Sequence, residues 1–270
     1  TGALDSKFGA PVAGGEALAQ AAALARTGGL RLVGLHAHIG TQLHEADRYG
    51  ELGRVMVELA RRVRAETGAP IREIGVGSGL GIPLRGDERV LDLDAYARAV
   101  ASPIRAATDL HATVYVEPGR WLVGRAGVAL YRVVGTKRVV GVRTFVAVDG
   151  GMGDNIRPAL YGATYTAVLA ERPAAPAEEE VAIAGKYCET GDLLILSVAL
   201  PAARPGEVVA VPGAGAYALA MASNYNHHLR PAVVLIDRGR ARLVRDRERY
   251  EDIWRHERRP PVGRTGRTRR

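Results

Sequence analysis

The residues best suited to chemistry are residues 114–121, VYVEPGRW, where an apolar run meets an acid, a rigid turn and a basic side chain. The β-branched and aromatic residues before Glu117 predict a strand, which ends at Pro118 because the proline ring fixes φ. Next, Gly119 offers a backbone amide to an anion, and Arg120 can form paired hydrogen bonds with phosphate or carboxylate. The stretch predicts a site that needs opposite charges close together.

One small molecule that satisfies both requirements is pyridoxal phosphate, which carries a basic ring nitrogen at one end and a phosphate at the other. Taken alone, however, the motif EPGR is more often a turn capped by a surface ion pair, because short motifs recur by chance. Other parts of the sequence are needed to choose between the two interpretations.

The composition is that of a globular protein. Of the 270 residues, 47% are hydrophobic, and no run approaches the ~20 apolar residues of a membrane span. The start of the sequence has neither the basic nor the apolar part of a secretion signal, and Cys188 is the single cysteine. We therefore expect a cytoplasmic protein without an internal disulfide.

The net charge of +8 is concentrated near the carboxyl terminus. Residues 242–270 hold eleven arginines and five acids, a local excess of +6 that leaves +2 for residues 1–241. We expect residues 246–270 to form a basic, disordered tail. No aromatic platform or recognition motif accompanies the arginines, which favours a solvated terminus over a nucleic-acid-binding segment. The sequence predicts neither a nucleic-acid nor a membrane partner.

Apolar periodicity predicts alternating helices and strands up to residue 124 and mainly strands after it. The predicted order is helix 15–26, strand 30–35, helix 48–66, strand 71–76, helix 91–107 and strand 111–116. That alternation is typical of a parallel sheet with helical crossovers. Residues 125–245 are predicted to form a β domain, in which the alanine-rich residues 213–225 form a helix that returns to the first domain.

Three strands in residues 1–124 are too few for a closed (β/α)8 barrel, which takes about 250 residues. Either the sheet is an open α/β sheet, or this region is the C-terminal part of a longer barrel. Both interpretations give α/β plus β: an α/β region followed by a mainly β domain, sandwich-like or barrel-like.

A second glycine-containing strand end follows the strand at 71–76. Its glycines, Gly75, Gly77, Gly79 and Gly81, lack the GxGxxG spacing of dinucleotide sites, and no GK[ST] follows as in a P-loop. What remains is a flexible strand end whose amides can bind a phosphate. With Gly119, the sequence predicts two phosphate-binding strand ends.

The histidines of HAHIGT are further candidates for a cofactor pocket. No cluster of Cys, His or carboxylate groups accompanies His36 and His38, so no metal site is predicted, and a structural histidine is the common alternative. Taken with Thr41, the ring of His38 could instead lie flat on a cofactor ring while the Thr41 hydroxyl reaches the phosphate.

Three other residues have both a structural and a chemical interpretation. A lone cysteine such as Cys188 is most often a small buried hydrophobe, but its polar, turn-forming neighbours favour an exposed thiol. Tyr217 would ordinarily be a core residue of an alanine-rich helix, and Arg157 would ordinarily be a surface arginine.

Six motifs in order connect the chain with a known family: HIGT, GSGLGIP, EPGR, DNIRPALY, YCETGD and GAYALAMASNYN. Over about residues 5–237 the chain resembles the pyridoxal-phosphate-dependent decarboxylases of the alanine-racemase-like barrel type. Six ordered motifs are highly specific where one is weak. The resemblance implies pyridoxal 5'-phosphate as cofactor, the C-terminal half of a (β/α)8 TIM-like barrel in residues 1–124, and decarboxylation of an amino acid.

The resemblance also implies a role for each motif. By this resemblance, His38 stacks on the pyridine ring of the cofactor, Glu117 contacts the ring nitrogen, and Cys188 donates a proton. The residues that it assigns to the phosphate and the cofactor pocket are Thr41, Gly77, Ser78, Gly79, Gly81, Gly119, Arg120 and Tyr217. The residues that it assigns to the substrate are Arg120, Arg157 and Tyr161 on a distal carboxylate, Glu189 on a distal amine, and Tyr217 along the pocket.

Two arginines near one pocket suit a substrate with a second carboxylate, whereas a decarboxylase that forms a diamine should offer an acid there. We therefore favour a dicarboxylic amino acid. A related decarboxylase of ornithine, arginine or carboxynorspermidine is one alternative, and a non-catalytic homologue with a binding or regulatory role is another.

Two positions depart from the family pattern. Ser78 stands where glycine is usual, which narrows the allowed backbone but keeps the amide. None of the three lysines, Lys7, Lys137 and Lys186, matches the lysine that bonds to the cofactor early in the family's barrel. We therefore expect a chain that lacks roughly the first half of the barrel and is inactive alone.

The resemblance further implies a homodimer with shared active sites. Cys188 and Glu189 would reach into the pocket of a second subunit. Lys7 of one subunit would pair with Asp192 of the other, a contact that would fix register more than strength.

Overall fold

The computed structural model describes residues 3–86 and 88–258. The helices are α1 (Glu16–Arg26), α2 (Asp47–Thr67), α3 (Leu93–Ala106), α4 (Gly119–Val123), α5 (Arg157–Tyr161) and α6 (Tyr250–Trp254). The strands are β1 (Gly34–His36), β2 (Glu73–Gly75), β3 (Thr113–Tyr115), β4 (Val128–Val139), β5 (Arg143–Val148), β6 (Val168–Leu169), β7 (Glu179–Ala184), β8 (Leu193–Leu200), β9 (Val208–Pro212), β10 (Val233–Asp237) and β11 (Arg240–Arg245). Within the described ranges, no helix combines the length and apolar character needed to cross a membrane.

The first region is a three-stranded parallel sheet with helices packed against it. β1, β2 and β3 pair in that order, with His36 aligned on Gly75 and Gly75 aligned on Tyr115. Because the strands are parallel, their carboxyl ends lie at one edge. The predicted alternation of helix and strand is present, although each strand is shorter than predicted.

Helix α2 buries its apolar face in the core of this region. Tyr49, Met56 and Val63 recur at helical spacing and are at most 1% exposed. Gly68 ends the helix with a left-handed φ of 71°, which glycine adopts without strain. Helix α3 begins where the Asp92 carboxylate accepts two backbone N–H groups of the first turn. The helices therefore cover the sheet and leave the strand ends for the site.

The second region is a six-stranded sheet in the order β6-β9-β4-β5-β7-β8. Its pairs are antiparallel except for β5 with β7, which are parallel. Alternating residues such as Val146, Val148 and Ile183 are fully buried and form its core. The structure has strands at the apolar runs of the sequence. Strand β7 was not predicted, because it begins with two glutamates and its buried Val-Ala-Ile run is short.

Residues 213–225 do not form the predicted helix. Gly213 and Tyr217 adopt left-handed φ values of 77° and 64°, which interrupt a right-handed helix, and Leu219–Met221 make a single 3-10 turn. The amide of Gly215 donates to the carbonyl of Gly124 at 3.0 Å. Backbone contacts with the end of the first region therefore override the helix propensity of the alanines.

β10 and β11 form a separate antiparallel hairpin. Its apolar residues are exposed, among them Ile236 at 67% and Leu243 at 59%. After it, the Glu248 carboxylate accepts hydrogen bonds from Arg230 and Asn224, which precede the hairpin. The predicted disorder is therefore wrong for residues 246–258, because this pairing and helix α6 hold the backbone. Residues 259–270 of the predicted tail lie outside the described residues.

Candidate active site

The parallel sheet brings three motifs to one edge. HAHIGT follows β1, GSGLG follows β2 and EPGR follows β3. The amide of Glu117 donates to the carbonyl of Gly77 at 2.9 Å, and the amide of Leu43 donates to the carbonyl of Gly79 at 3.0 Å. The glycine loop is thus tied to the strand ends on both sides of it.

The glycine loop presents backbone amides that have no protein acceptor. Gly77 and Gly79 have φ values of 52° and 72° on either side of Ser78, and such alternation points successive N–H groups into one concavity. Among the described residues, the amides of Ser78, Gly79 and Leu80 donate to no acceptor. A Cβ at Gly79 would overlap the carbonyl oxygen of Gly40, so glycine is needed there. This concavity fits a phosphate.

Two predicted phosphate donors are already in use. The amide of Gly81 donates to the carbonyl of Leu43 at 2.9 Å, and the amide of Gly119 donates to the carbonyl of Glu117 at 2.8 Å. Each amide therefore pairs with the neighbouring chain, and its role toward a phosphate stays a prediction. The amide of Leu80 was missed, since its apolar side chain indicates only a core position.

His38 lies beside the glycine loop with its ring in a neutral form. Its Nδ1 accepts the amide of Gly40 at 3.1 Å, so the proton of the neutral ring is on Nε2. Burial, and then the nearby His36, lower the pKa of His38. A Cβ at Gly77 would lie 3.1 Å from Cδ2 of His38, so ring and loop are in close contact. Thr41 is exposed, and its role on a phosphate stays a prediction.

Glu117 stands at the end of β3 opposite His36. The Nε2 of His36 lies 3.3 Å from Oε2 of Glu117, and the two side chains are 39% and 54% exposed. The carboxylate is therefore accessible to a cationic ring nitrogen, which would compete with His36 for it. From the sequence, His36 was considered as a metal ligand or a structural histidine. Its pairing with Glu117 arises because β1 and β3 both align in parallel on β2, with His36 on Gly75 and Gly75 on Tyr115.

Arg120 and Arg157 form a buried cationic pair around Tyr217. They are 6% and 7% exposed, and their guanidinium carbons lie 4.7 and 5.5 Å from the centroid of the Tyr217 ring. Arg157 also lies 5.3 Å from the ring of Tyr161. In the described part of the chain neither arginine forms an ion pair. The structure therefore brings together four residues predicted to contact a distal carboxylate and pocket.

The two arginines lack the partners that buried charges need. Nη1 of Arg120 and Nε of Arg157 are buried without a hydrogen-bond partner among the described residues. Burial, and then Arg157, lower the pKa of Arg120. An unpaired buried charge is costly, and a second like charge beside it adds to the cost. The pair fits an anion with several oxygens.

Local sequence explains how these side chains are held. Trp121, next to Arg120, packs against the apolar cores of both regions and so fixes helix α4. Arg157 starts helix α5, where Pro158 is suited to the first turn and Gly162 ends the helix with a φ of 62°. Tyr217 reaches the arginines from the irregular segment that replaces the predicted helix.

Cys188 and Glu189 lie in the loop between β7 and β8. Cys188 is exposed, as the polar sequence around it predicts. The carboxylate of Glu189 accepts a hydrogen bond from the Tyr225 hydroxyl, and the Tyr225 ring stacks on Tyr187 at 5.9 Å between centroids. Among the described residues, no hydrogen bond or ion pair joins Cys188 or Glu189 to His38 or to the two arginines.

Asp192 is buried and already paired. It is 3% exposed, and its carboxylate accepts the amides of Met152 at 2.6 Å and Tyr187 at 2.8 Å. Burial raises the pKa of Asp192. The predicted ion pair with Lys7 of a second subunit is wrong, because the carboxylate faces inward and is occupied. Asp192 instead joins the Cys188 loop to the loop that leads to Arg157.

The fold and this site define a class. The family profile described as pyridoxal-dependent decarboxylase, C-terminal sheet domain, matches residues 34–215. The chain belongs to this family, and the resemblance carried by the six motifs is confirmed.

Within the family, proteins named diaminopimelate decarboxylase are similar over nearly the whole chain. The protein from Synechocystis sp. is 42% identical over 261 residues, which cover 95% of this chain and 55% of that protein. The protein from Actinosynnema pretiosum is 43% identical over 262 residues, with 95% and 58% covered. The chain spans just over half the length of these relatives.

Solved structures with that name show the same fold. The enzyme from M. jannaschii superimposes with a TM-score of 0.86 at 32% identity, covering 97% of this chain and 60% of that one. The enzyme from Helicobacter pylori, complexed with L-lysine, superimposes with a TM-score of 0.83 at 30% identity, covering 95% and 62%. A partial barrel followed by a sheet domain agrees with these neighbours.

The residues present fit pyridoxal phosphate, the family's cofactor, by noncovalent contacts. Free amides suit the phosphate, a neutral His38 suits the ring face, and the accessible Glu117 suits the ring nitrogen. The three lysines lie elsewhere: Lys7 beside the Phe8 ring, Lys137 on β4 and Lys186 near Asp154. None is on the strand ends that carry the site.

Proposed function

We propose that this chain supplies the cofactor and substrate pocket of a diaminopimelate decarboxylase, which converts meso-2,6-diaminopimelate to L-lysine and CO2. The observation that carries the proposal is the buried pair Arg120 and Arg157, which forms no ion pair with an acid among the described residues. The distal carboxylate of diaminopimelate supplies the anion that this pair lacks. Ornithine and arginine have no such group, which disfavours decarboxylases of those substrates.

Each residue then has a task in the reaction. When bound, pyridoxal phosphate withdraws electrons from the α-carbon as CO2 leaves. The carboxylate of Glu117 would favour the protonated form of the ring nitrogen, and the ring of His38 would hold the cofactor ring. Arg120 and Arg157, with Tyr161 and Tyr217 beside them, orient the distal end of the substrate.

The proton that replaces CO2 on the α-carbon comes from an acid on one face. We assign this to the Cys188 thiol, and the recognition of the distal amine to Glu189. In this proposal Cys188 and Glu189 serve the pocket of a second subunit, in keeping with the lack of any hydrogen bond between them and His38 among the described residues. Both assignments require a homodimer with shared active sites. Residues 1–124 are then the C-terminal half of a (β/α)8 barrel, and a biosynthetic enzyme of this kind is cytoplasmic.

The experiment uses the 270-residue chain with pyridoxal 5'-phosphate and meso-diaminopimelate, and follows CO2 and L-lysine. Since none of the lysines lies at the strand ends, we expect no product from the chain alone. Adding the N-terminal half of a relative's barrel as a separate polypeptide should restore measurable turnover by completing the barrel. Ornithine or arginine consumed in place of diaminopimelate would contradict the proposed substrate. Tight pyridoxal phosphate binding without turnover in every mixture would favour the non-catalytic alternative.

A further inference from the structure

The carbonyl in the middle of the glycine loop is held by a buried tyrosine. Tyr49, on helix α2, is 0% exposed, and its hydroxyl donates to the carbonyl oxygen of Ser78 at 2.7 Å. Burial raises the pKa of Tyr49, so the hydroxyl keeps its proton and remains a donor at any physiological pH. No motif of the sequence contains Tyr49, and its position in an apolar stripe indicates only a core residue.

Tyr49 completes a set of three tethers. The carbonyls of Gly77, Ser78 and Gly79 accept hydrogen bonds from the Glu117 amide, the Tyr49 hydroxyl and the Leu43 amide, respectively. In a trans peptide, the C=O of one residue and the N–H of the next point in opposite directions. Holding these three carbonyls toward the protein therefore turns the three following amides, of Ser78, Gly79 and Leu80, away from it. None of these three amides has an acceptor among the described residues.

We propose that Tyr49 is a positioning residue for the phosphate of the cofactor: by fixing the peptide between Ser78 and Gly79, it aims the Gly79 N–H at the phosphate. This inference rests on the proposed function, because it takes the glycine loop as the phosphate site. Of the three tethers, Tyr49 is the one made by a side chain, so it can be removed without changing the backbone. A loop with two glycines of positive φ would otherwise sample other peptide orientations.

The test compares two ligands that differ only in the phosphate. Pyridoxal 5'-phosphate and pyridoxal are titrated into the 270-residue chain and into Tyr49→Phe, with binding followed by cofactor absorbance and calorimetry. We expect Tyr49→Phe to weaken pyridoxal 5'-phosphate by at least about tenfold, since hydrogen bonds to a charged group are involved. Binding of pyridoxal should change less than about twofold, because it makes no use of the loop amides.

The matched control is Tyr96→Phe. The Tyr96 ring meets the Tyr49 ring edge-on, with 4.7 Å between centroids, and it is 5% exposed. Its hydroxyl has no hydrogen-bond partner among the described residues, so its removal should leave the affinities for both ligands unchanged. The pair of variants separates loss of a buried hydroxyl from loss of the tether to Ser78.

Each outcome is decisive. If the unchanged chain does not prefer pyridoxal 5'-phosphate over pyridoxal, the phosphate site and with it the proposed function fail. If the chain has that preference and Tyr49→Phe keeps it in full, the role of Tyr49 is overturned. Equal weakening of both ligands would show a merely structural role and would also overturn it.

A measurement on the unchanged chain does not depend on how the variants fold. Titration with inorganic phosphate, followed by amide and carbonyl NMR shifts, should move the amide signals of Ser78, Gly79 and Leu80. The Ser78 carbonyl should move with them, because a polarised peptide strengthens its bond with Tyr49. The amide signal of Gly81, which already donates to the carbonyl of Leu43, should not shift. Shifts at Gly81 without shifts at Ser78 and Gly79 would contradict the proposed orientation.

Discussion

The phosphate end and the arginine end of the site are built in different ways. The phosphate end consists of backbone amides in one short loop, whose carbonyls are held by neighbouring groups. The arginine end consists of the side chains of Arg120, Arg157 and Tyr217, which come from three separate segments. At the phosphate end, the fold fixes the orientation of backbone amides. At the arginine end, the fold buries two positive charges, which lowers its stability.

This difference predicts how each end responds to change. Damage to the backbone end should reduce binding and stability together, because the same contacts serve both. Damage to the arginine end should reduce binding and raise stability, because two like charges are buried without a partner in the described chain.

Gly79→Ala should have the largest effect. The added methyl group would overlap the carbonyl of Gly40, and a φ of 72° is itself strained for alanine. We expect loss of measurable pyridoxal phosphate binding and a decrease in the free energy of unfolding of about 2 kcal/mol or more. Calorimetry and urea unfolding measure the two. Gly135→Ala, where nothing lies within 4 Å, is the control; a Gly79→Ala chain that binds normally would remove the basis of the backbone end.

Arg157→Met should separate binding from stability. With pyridoxal phosphate present, we expect affinity for meso-diaminopimelate to fall by about 10- to 100-fold, since charged hydrogen bonds are lost. Without ligand, the midpoint of thermal unfolding should rise, because Arg120 no longer faces a like charge. Arg125→Met, at an exposed arginine just after helix α4, the helix of Arg120, should change neither quantity. A lower midpoint for Arg157→Met would show that Arg157 stabilises the fold, and would contradict the expectation that the arginine end lowers stability.

Asp192→Asn tests the link between the Cys188 loop and the arginine end. Its two carboxylate oxygens each accept a backbone amide, and asparagine offers one oxygen. Hydrogen exchange at the amide of Met152 or Tyr187 should accelerate by about tenfold, which corresponds to the free energy of one such hydrogen bond. The amide of Val146, in the core of the six-stranded sheet, is the internal reference. Unchanged exchange at both amides would mean that the two loops are held by other contacts.

Glu248→Gln should have the smallest effect, and one that depends on pH. Burial alone would raise the pKa of Glu248, but hydrogen bonds from Arg230 and Asn224 outweigh it and lower the pKa from 4.5 to about 2. A depressed carboxyl pKa stabilises the fold above the unfolded-state value, and this stability is lost as pH falls from 4.5 to about 2. We expect the wild-type chain to exceed Glu248→Gln in stability by ~1 kcal/mol at pH 7. The difference in thermal midpoint should vanish near pH 2; a constant difference would mean that charge plays no part.

The backbone end of the site was largely predictable from the sequence, and the arginine end only in part. Strand-ending glycines indicate an anion-binding loop locally, yet which amides are free depends on pairing with Leu43 and Glu117, which no pattern reveals. Hence the sequence did not indicate the local pairing of the Gly81 and Gly119 amides, nor the unpaired amide of Leu80. Arg157 and Tyr217 were found through resemblance alone, because their convergence is tertiary. The left-handed backbone of Tyr217, in a run of alanines, runs against local propensity.

The hairpin of β10 and β11 has a consequence for the lifetime of the protein. It shares no ladder with the six-stranded sheet, and two strands alone are marginally stable in water. It should therefore open far more often than the rest of the chain unfolds, exposing an unpaired, apolar edge to proteases each time. Degradation of this chain would then begin at residues 233–245 at a rate set by that local opening, whatever the stability of the active site.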